Sequence, residues 1–394
     1  MDWPHSFLLY ILLLVAIATG YFLGRRERGP KKARTAAIKD YYQGLNFLLG
    51  DRPELGVDRF IQAMEVSDES IDVHLALAGV VRRRGEVEKA IRIHQNLLAS
   101  PALKATNKQL IEFELARDYH AAGLLDRAEA LLVGIVGRRD SQERPAAELL
   151  LDIYEQEREW VQGIEIGRRF VGADAALKVR LSHFYCELGQ GYLTQGEIRL
   201  ALEHARSAMR MDASNPRGHW LAAEVEYAQK RHRQVLRHLS RVVELQPDLG
   251  IEVLELYANA SDSLGQESAF LKFLVAGIQR SADAKMLQAT IEHRRKHGLK
   301  TDYREILDLI ARQPRPEHFL ILLDMLNKAP QLEEEDASSR SEFEAEVRRL
   351  LAQIAVETQD HQCRNCGFSS HHHIWYCPTC RRWGSFSSRA SVSV

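Results

Sequence analysis

Apolar residues recur every three or four positions along most of this chain, which is the period of an amphipathic α-helix. The pattern runs from about residue 36 to residue 330 and contains few runs of β-branched residues. It changes after Ala329, where residues 330–346 hold seven acidic residues and one basic residue. The pattern therefore predicts an all-α region over residues 36–330, followed by an acidic segment and a last helix over residues 331–358.

The helical pattern repeats about every 34 residues. Each copy has a small residue, a bulky or apolar residue three positions later, a turn seven positions later and a second small residue twelve positions later. The copies start at Gly44, Ala78, Ala116, Leu151, Gly189, Ala223, Ala258 and Thr290, with separations of 34, 38, 35, 38, 34, 35 and 32 residues. The copy at Leu151 matches the pattern less cleanly than the others. This order resembles the tetratricopeptide repeat, a helix–turn–helix of about 34 residues. It predicts about eight stacked repeats that form a superhelix.

Such a superhelix binds segments of other proteins, so the pattern predicts docking rather than catalysis. The chain contains no P-loop, no His-Glu-x-x-His and no Gly-x-Ser-x-Gly motif. The glycine-rich stretch that begins at Gly189 has no predicted strand before it, so it does not qualify as a phosphate loop. Cys186, within a predicted helix, is expected to be a buried small apolar residue.

The N-terminal 24 residues predict a membrane anchor. Residues 7–24 contain no charged side chain, and as a helix they span about 27 Å, close to the roughly 30 Å hydrocarbon core of a bilayer. The next segment, residues 25–35, is basic, whereas a cleaved signal peptide carries its positive charge before the apolar run. The positive-inside rule therefore predicts an uncleaved, single-pass membrane anchor with the bulk of the chain in the cytoplasm.

Three small residues in this segment are spaced by four positions: Ala16, Gly20 and Gly24. Such spacing lets two membrane helices approach closely. Small residues are also common in membrane spans generally, so recognition of another membrane helix stays open alongside a simple anchor. The chain is nearly neutral, with 53 basic and 54 acidic residues and a net charge of −1. That balance argues against a dedicated nucleic-acid binder.

Four of the five cysteines lie in one short stretch with the spacing C-x2-C-x10-C-x2-C: Cys363, Cys366, Cys377 and Cys380. Each pair can direct two sulfurs to one side of a tight turn, and four thiolates complete a tetrahedron around one metal ion. We therefore predict a rubredoxin-like metal module over residues 359–385, followed by a tail over residues 386–394. Both iron and zinc accept four thiolates.

The remaining residues of the module raise two further expectations. His371, His372 and His373 stand between the two pairs, where one of them can in principle replace a sulfur, although with four sulfurs available we expect an exposed loop tip. The module is also rich in aromatic residues. We expect a small apolar core built from Phe368, Trp375, Tyr376 and Trp383, and packing of the module against the last helices of the repeats.

The order of anchor, basic flank, helical repeats and terminal metal module resembles the lipopolysaccharide assembly protein B family of Gram-negative bacteria. The resemblance covers nearly the whole chain and is closest at "RGEVEKAIRIHQ" (84–95), "DYHAAGLLDRAE" (118–129), "SHFYCEL" (182–188) and the two cysteine pairs. It implies that the four cysteines are the ligands of a rubredoxin-like iron, so iron stands beside zinc.

The resemblance also implies a function. Members of this family are inner-membrane adaptors, not enzymes, and lower lipopolysaccharide synthesis by promoting proteolysis of the lipid A pathway deacetylase. The implied partners are that deacetylase, a membrane AAA+ metalloprotease and other inner-membrane lipopolysaccharide assembly proteins. Two alternatives remain: a membrane-anchored rubredoxin-like electron-transfer protein, and a zinc ribbon that binds nucleic acid. A homo-oligomer also stays open.

Overall fold

A computed structural model describes residues 12–19, 21, 71–101, 103–138, 140–281, 284–296, 318, 320–321 and 361–388. The chain divides into two units, Met1–Ile153 and Tyr154–Val394, which we describe separately. Residues 12–19 of the predicted anchor are helical and exposed. Within the described part of the chain, none of the helices has the length and apolar character that crossing a bilayer requires. The basic segment 25–35, the repeats before residue 71 and the acidic segment lie outside the described residues.

The first unit consists of helices that pack in sequential order. They are α1 (Ile71–Arg83), α2 (Val87–Leu98), α3 (Ala105–Ala121) and α4 (Leu125–Ile135), followed by α5 (Glu143–Glu157), which crosses the division between the units. The predicted small positions Ala78, Ala90, Ala116 and Ala128 are all fully buried. They lie where helices approach each other, since a larger side chain would separate the two backbones.

The second unit continues the same arrangement. Its helices are α6 (Trp160–Phe170), α7 (Ala175–Thr194), α8 (Ile198–Met211), α9 (Pro216–Ala228), α10 (His232–Leu245), α11 (Leu254–Leu264), α12 (Glu267–Ser281) and α13 (Ala284–Lys296), with a 3₁₀ turn at Pro247–Gly250. A Cβ atom at Gly189 would lie 2.5 Å from Cδ2 of Leu221, and one at Gly163 would lie 2.8 Å from the ring of Phe184. These predicted small positions therefore permit helix contacts that no larger residue allows.

The turn within each repeat has the same backbone geometry six times. The residue seven positions after the first small position has a positive φ in every described copy: Gly85, Gly123, Arg158, Gly196, Lys230 and Gly265. The residue that follows donates its N–H to the carbonyl five positions earlier, for example Glu197 to Tyr192 at 2.9 Å and Arg231 to Glu226 at 2.9 Å. This hydrogen bond is the mark of a Schellman motif, which ends an α-helix. The regular spacing of these turns confirms the predicted helix–turn–helix repeat.

A small antiparallel sheet follows at the C-terminus of the second unit. Its strands are β1 (His361–Cys363), β2 (Ser369–Ser370) and β3 (Phe386–Ser388), in the order β2-β1-β3. Because β3 pairs with β1 along three residues, the sheet continues past residue 385, where the sequence analysis ends the metal module. Phe386 is fully buried, so this part of the predicted tail belongs to the module. The fold is all-α apart from this sheet, as predicted for the described residues.

Candidate metal centre

The two cysteine pairs form nearly identical turns. In the first, the N–H of Gly367 donates to the carbonyl of Cys363 at 2.9 Å, and the N–H of Cys363 donates to the carbonyl of Phe368 at 2.8 Å. In the second, Arg381 donates to Cys377 at 2.9 Å, and Cys377 donates to Arg382 at 3.0 Å. Gly367 and Arg381 occupy the same position and both have a positive φ, 78° and 55°. The sequence indicated the first turn through its glycine, but nothing marked Arg381 as its equivalent.

These turns bring the four predicted ligands together. The sulfurs of Cys363, Cys366, Cys377 and Cys380 all lie within 4.8 Å of one another. The Sγ atoms of Cys363 and Cys380 are 3.6 Å apart, as are those of Cys366 and Cys377. A tetrahedral ion with bonds of about 2.3 Å holds its sulfurs roughly 3.8 Å apart, so the cage fits one tetrathiolate metal ion. Sulfur spacing of this kind suits zinc and iron equally.

The pKa values of two cysteines of the cage are shifted in opposite directions. Burial acts to raise the pKa of Cys363, but contacts with Ser385 and with the backbone of Cys366 and Asn365 outweigh it and bring that pKa to about 6. The backbone hydrogen bond of Phe368 acts to lower the pKa of Cys366, but burial and the neighbouring sulfurs outweigh it and raise that pKa to about 12. The metal binds thiolate rather than thiol, and N–H groups directed at sulfur stabilise the thiolate form. Cys363 is thus the cysteine whose surroundings favour the thiolate before a metal binds.

The core of the module differs from the expected one. It consists of Cys363, Cys377 and Phe386, with Ile374 and Cys380 packed against them. Of the four aromatic residues expected to form this core, Phe368 is 38% exposed and meets Phe386 edge-on. Tyr376 packs on Trp383, with ring centroids 4.8 Å apart. Trp375 and Trp383 point instead at the helices of the second unit, as the next contacts show. The expectation of a core built from these aromatic residues was therefore wrong.

Trp383 anchors the module on three helices. Its indole Nε1 donates to Oε1 of Glu155 at 3.0 Å, and its ring stacks on His183 with centroids 4.7 Å apart and an angle of 15°. Trp160 of α6 meets its edge at 6.2 Å. Burial raises the pKa of Glu155, although Arg180 and the hydrogen bonds from Trp383 and Tyr376 act against that shift. Burial also lowers the pKa of His183 to about 3, assisted by the charge of Arg217.

Arg217 of α9 lies between the two tryptophans of the module. Its guanidinium carbon is 5.6 Å from the ring centroid of Trp375 and 5.5 Å from that of Trp383. Glu187 of α7 fixes the same guanidinium through an ion pair of 2.7 Å. A desolvated cation over two aromatic faces contributes about 2 kcal/mol or more per contact. We call the surface of the helices that contacts the metal module the docking surface. It combines cation–π contacts with buried hydrogen bonds.

A histidine–carboxylate contact and an ion pair complete the docking surface near the 3₁₀ turn. His361 Nε2 lies 2.9 Å from Oε1 of Glu252, and Arg364 pairs with Asp248 at 3.0 Å. These contacts reach residues between Glu155 and Glu252, in the middle repeats. Nearly all residues of 297–360 lie outside the described part of the chain, so packing against the last helices stays a prediction. Glu155, His183 and Arg217 were missed because no spacing rule marks a residue whose partner lies over a hundred positions away.

The three histidines between the cysteine pairs lie in two different environments. His371 and His372 are exposed, as expected of a loop tip. His373 turns inward, with its ring 4.6 Å from Trp375 and 6.5 Å from Trp220 of α9, and burial lowers its pKa to about 4. Among the described residues, the four sulfurs are the group arranged to hold a metal, and no histidine belongs to it. Cys186 is fully buried and its pKa is raised to about 12 by burial, which fits the predicted apolar role.

Comparisons with known proteins agree with this geometry. Residues 361–388 match the family model described as a rubredoxin metal binding domain. Lipopolysaccharide assembly protein B of Escherichia coli strain K12 is 30% identical over 384 residues, which cover 96% of this chain and 97% of the relative. The protein of the same name from Haemophilus influenzae strain Rd is 27% identical over 392 residues, with 96% and 97% covered.

Two solved structures also resemble the chain. The TPR2AB-domain:pHSP90-complex of yeast Sti1 is 15% identical with a TM-score of 0.33, covering 66% of this chain and 96% of that one. The C-terminal part of a TPR repeat-containing protein from Cytophaga hutchinsonii is 15% identical with a TM-score of 0.37 and the same coverage. On its 30% identity along almost the full length of the Escherichia coli relative, the chain belongs to the lipopolysaccharide assembly protein B family.

Proposed function

We propose that this protein is an inner-membrane adaptor that lowers lipopolysaccharide synthesis by presenting the lipid A pathway deacetylase to a membrane AAA+ metalloprotease. The observation that carries the proposal is a helical-repeat array with a metal module docked on its middle helices, in a chain related along its length to lipopolysaccharide assembly proteins. Arrays of this kind act by holding other proteins, so the protein is proposed to have no catalytic reaction of its own.

The metal module is proposed to shape the docking array. Cys363, Cys366, Cys377 and Cys380 would hold one iron or zinc ion, and a site closed by four protein ligands supplies structural stability rather than an open coordination position. With the ion bound, the two cysteine turns would be held in place and would position Trp375 and Trp383 against α7 and α9. The surface available to a client is then set by the array and the module together.

Membrane location is part of the proposal. The apolar segment 7–24 and the basic segment 25–35 support an anchor with the repeats in the cytoplasm. Tethering both adaptor and protease to one bilayer raises the effective concentration of one at the other. A version of the chain that starts at Arg25 should therefore bind cytoplasmic partners and still fail to restore control in cells.

A pulse–chase of the deacetylase tests the proposal. Depletion of this protein should lengthen the half-life of the deacetylase without changing its synthesis, and wild-type protein should restore it. In cells with an inactive protease, depletion should have no additional effect. An unchanged half-life would reject the adaptor function. Voltammetry of the iron-loaded protein would then test the electron-transfer alternative, which requires a reversible one-electron couple.

A further inference from the structure

A second surface of the array lies on the face of α7 that points away from the metal module. His183 and Glu187 point toward the module, whereas Tyr185, Leu188 and Tyr192 lie about half a helical turn further round α7. These three side chains contribute to a cleft of about 510 Å³ between α6 and α8. An adjacent cleft of about 520 Å³ between α8 and the start of α10 shares Glu203 and Arg210 with it. We call the two together the arginine cleft.

The arginine cleft concentrates positive charge in a chain whose net charge is −1. Five arginines and one glutamate line it: Arg168, Arg199, Arg206, Arg210, Arg231 and Glu203. Arg199, Arg206 and Arg210 are exposed on one face of α8. Within the described residues, Arg231 has an ion pair, with Glu226, and Arg210 contacts the hydroxyl of Ser207. The remaining arginines have no acidic partner among those residues, so their charge is available to a ligand.

The floor of the cleft is largely apolar. Tyr192 stacks on His204 with centroids 5.2 Å apart and an angle of 7°, and Tyr185 is 8% exposed. Val161 of α6 is 58% exposed at the edge of the same cleft. A recessed apolar floor beneath a charged rim is the usual composition of a ligand site, and volumes of 300 to 1,000 Å³ are typical of such sites.

We infer that the arginine cleft binds an acidic peptide segment of a partner protein, with a bulky apolar side chain on the floor and carboxylates on the arginines. Charge complementarity selects an anionic ligand. The recessed floor favours a peptide over a flat bilayer, which would meet only the rim. Glu203 in the middle of the rim disfavours a uniform phosphate backbone but suits a peptide N–H. The inference concerns a surface separate from the metal module and holds whether or not the protein directs proteolysis.

Fluorescence anisotropy on the full-length, metal-loaded protein in neutral lipid nanodiscs tests the inference. The probe is a labelled twelve-residue peptide of glutamate, aspartate and serine with a central phenylalanine. We expect saturable binding that weakens with salt, and no binding of the same peptide with lysine in place of the acids. The double variant Arg206→Glu with Arg210→Glu should weaken binding roughly tenfold or more. Val161→Ser should weaken it roughly threefold.

Arg92→Glu, an exposed charge reversal on α2, is the matched control and should leave binding unchanged. The unfolding midpoint of every variant should stay close to that of the wild type, since the substituted side chains are exposed. A small decrease is expected for Arg210→Glu, because Arg210 lies in the last turn of α8, where a negative charge opposes the helix dipole. Absence of peptide binding, equal binding of the lysine peptide, or indifference to the double variant would overturn the inference. Loss of peptide binding when anionic lipid is added to the nanodisc would assign the arginines to the membrane and would also overturn it.

Discussion

Trp383 of the metal module donates its indole N–H to Oε1 of Glu155 on α5, at 3.0 Å. The carboxylate is buried, and Arg180 binds its other oxygen, Oε2, at 2.6 Å. A charge-assisted hydrogen bond in such surroundings contributes about 1.5–3 kcal/mol, and a partner left unsatisfied there costs a similar amount. The contact therefore couples the module to the array energetically as well as sterically.

A double-mutant cycle measures this coupling. Trp383→Phe removes the donor and Glu155→Gln removes the charge, while both keep most of the packing. The two substitutions should show a coupling energy of about 1 kcal/mol or more in chemical denaturation, because phenylalanine lacks the N–H donor and glutamine leaves only a neutral acceptor for the same hydrogen bond. Phe368→Leu combined with Glu155→Gln is the control, and these should be additive, since Phe368 is 38% exposed on the module. Additivity in both pairs would contradict a specific contact.

Removal of two ligands tests the structural function of the metal. The variant with Cys363→Ser and Cys366→Ser should lose its metal and the hydrogen-exchange protection of β1 and β3, because a structural tetrathiolate site contributes roughly 10–16 kcal/mol to folding of its module. Cys186→Ala should keep one metal per chain, since Cys186 lies outside the cage. A double variant with an ordered, metal-free module that still restores deacetylase turnover in cells would show that the metal is dispensable.

The repeat could be predicted from the sequence because its determinants are local. A small residue and the turn seven positions later recur with matching separations, and each turn is a Schellman motif set by a few neighbouring residues. The four sulfurs were equally predictable, since Cys-x-x-Cys spacing determines the geometry of each knuckle. The ligands of the metal module could therefore be predicted without knowing the rest of the fold.

The contacts between the metal module and the repeats could not be predicted, because they join residues that are far apart in the sequence. Trp383 and Glu155 are 228 positions apart, and an aromatic residue in a small module suggests a core position equally well. Arg217 belongs to no recognisable sequence motif. It nevertheless lies between two tryptophans that the sequence analysis assigns to the interior of the module. Contacts of this kind depend on how the repeats stack, which no local pattern encodes.

Lys230 should be replaceable by glycine with a gain in stability. It ends α9 with a φ of 58°, a conformation that four of the six described repeats assign to glycine. The left-handed conformation costs a lysine about 1–2 kcal/mol, and substitution by glycine removes this cost. Part of the resulting gain is lost, because glycine gives the unfolded chain more backbone entropy. Lys230→Gly should raise the free energy of unfolding by about 0.5–1 kcal/mol, while Lys230→Ala should not raise it. An equal gain from alanine would show that the lysine side chain, rather than φ, is the cause.

The free energy of unfolding should decrease as the pH is lowered, because His183 is buried in its neutral form. The pKa of this histidine is lowered to about 3 in the folded protein by burial and by Arg217, whereas the unfolded chain binds the proton near pH 6.5. Its contribution is therefore complete above pH 6.5 and is lost as the pH falls toward 3, by at most about 1.4 kcal/mol per pH unit.

The substitution His183→Phe isolates this effect because phenylalanine can stack on Trp383 but binds no proton. Between pH 7.5 and pH 5.5, the free energy of unfolding should decrease less for this variant than for the wild type, with the metal bound in both. Parallel curves would mean that the histidine is protonated in the folded state, contrary to its burial.

Two glycines in α7 should respond to alanine with opposite signs. A Cβ at Gly189 would lie 2.5 Å from Cδ2 of Leu221 and 3.4 Å from the carbonyl oxygen of Ala201, whereas nothing lies within 4 Å of one at Gly191. Gly189→Ala should therefore destabilise the protein by about 1–3 kcal/mol through overpacking. Gly191→Ala should stabilise it by about 0.5–1 kcal/mol, since alanine favours the helix interior. Denaturant unfolding of both variants compares a repeat-defining position with a neighbouring one on the same helix that has open space beside it. If both variants gained stability, α7 and α9 could separate without cost, and the requirement for a small residue at this point of the repeat would be wrong.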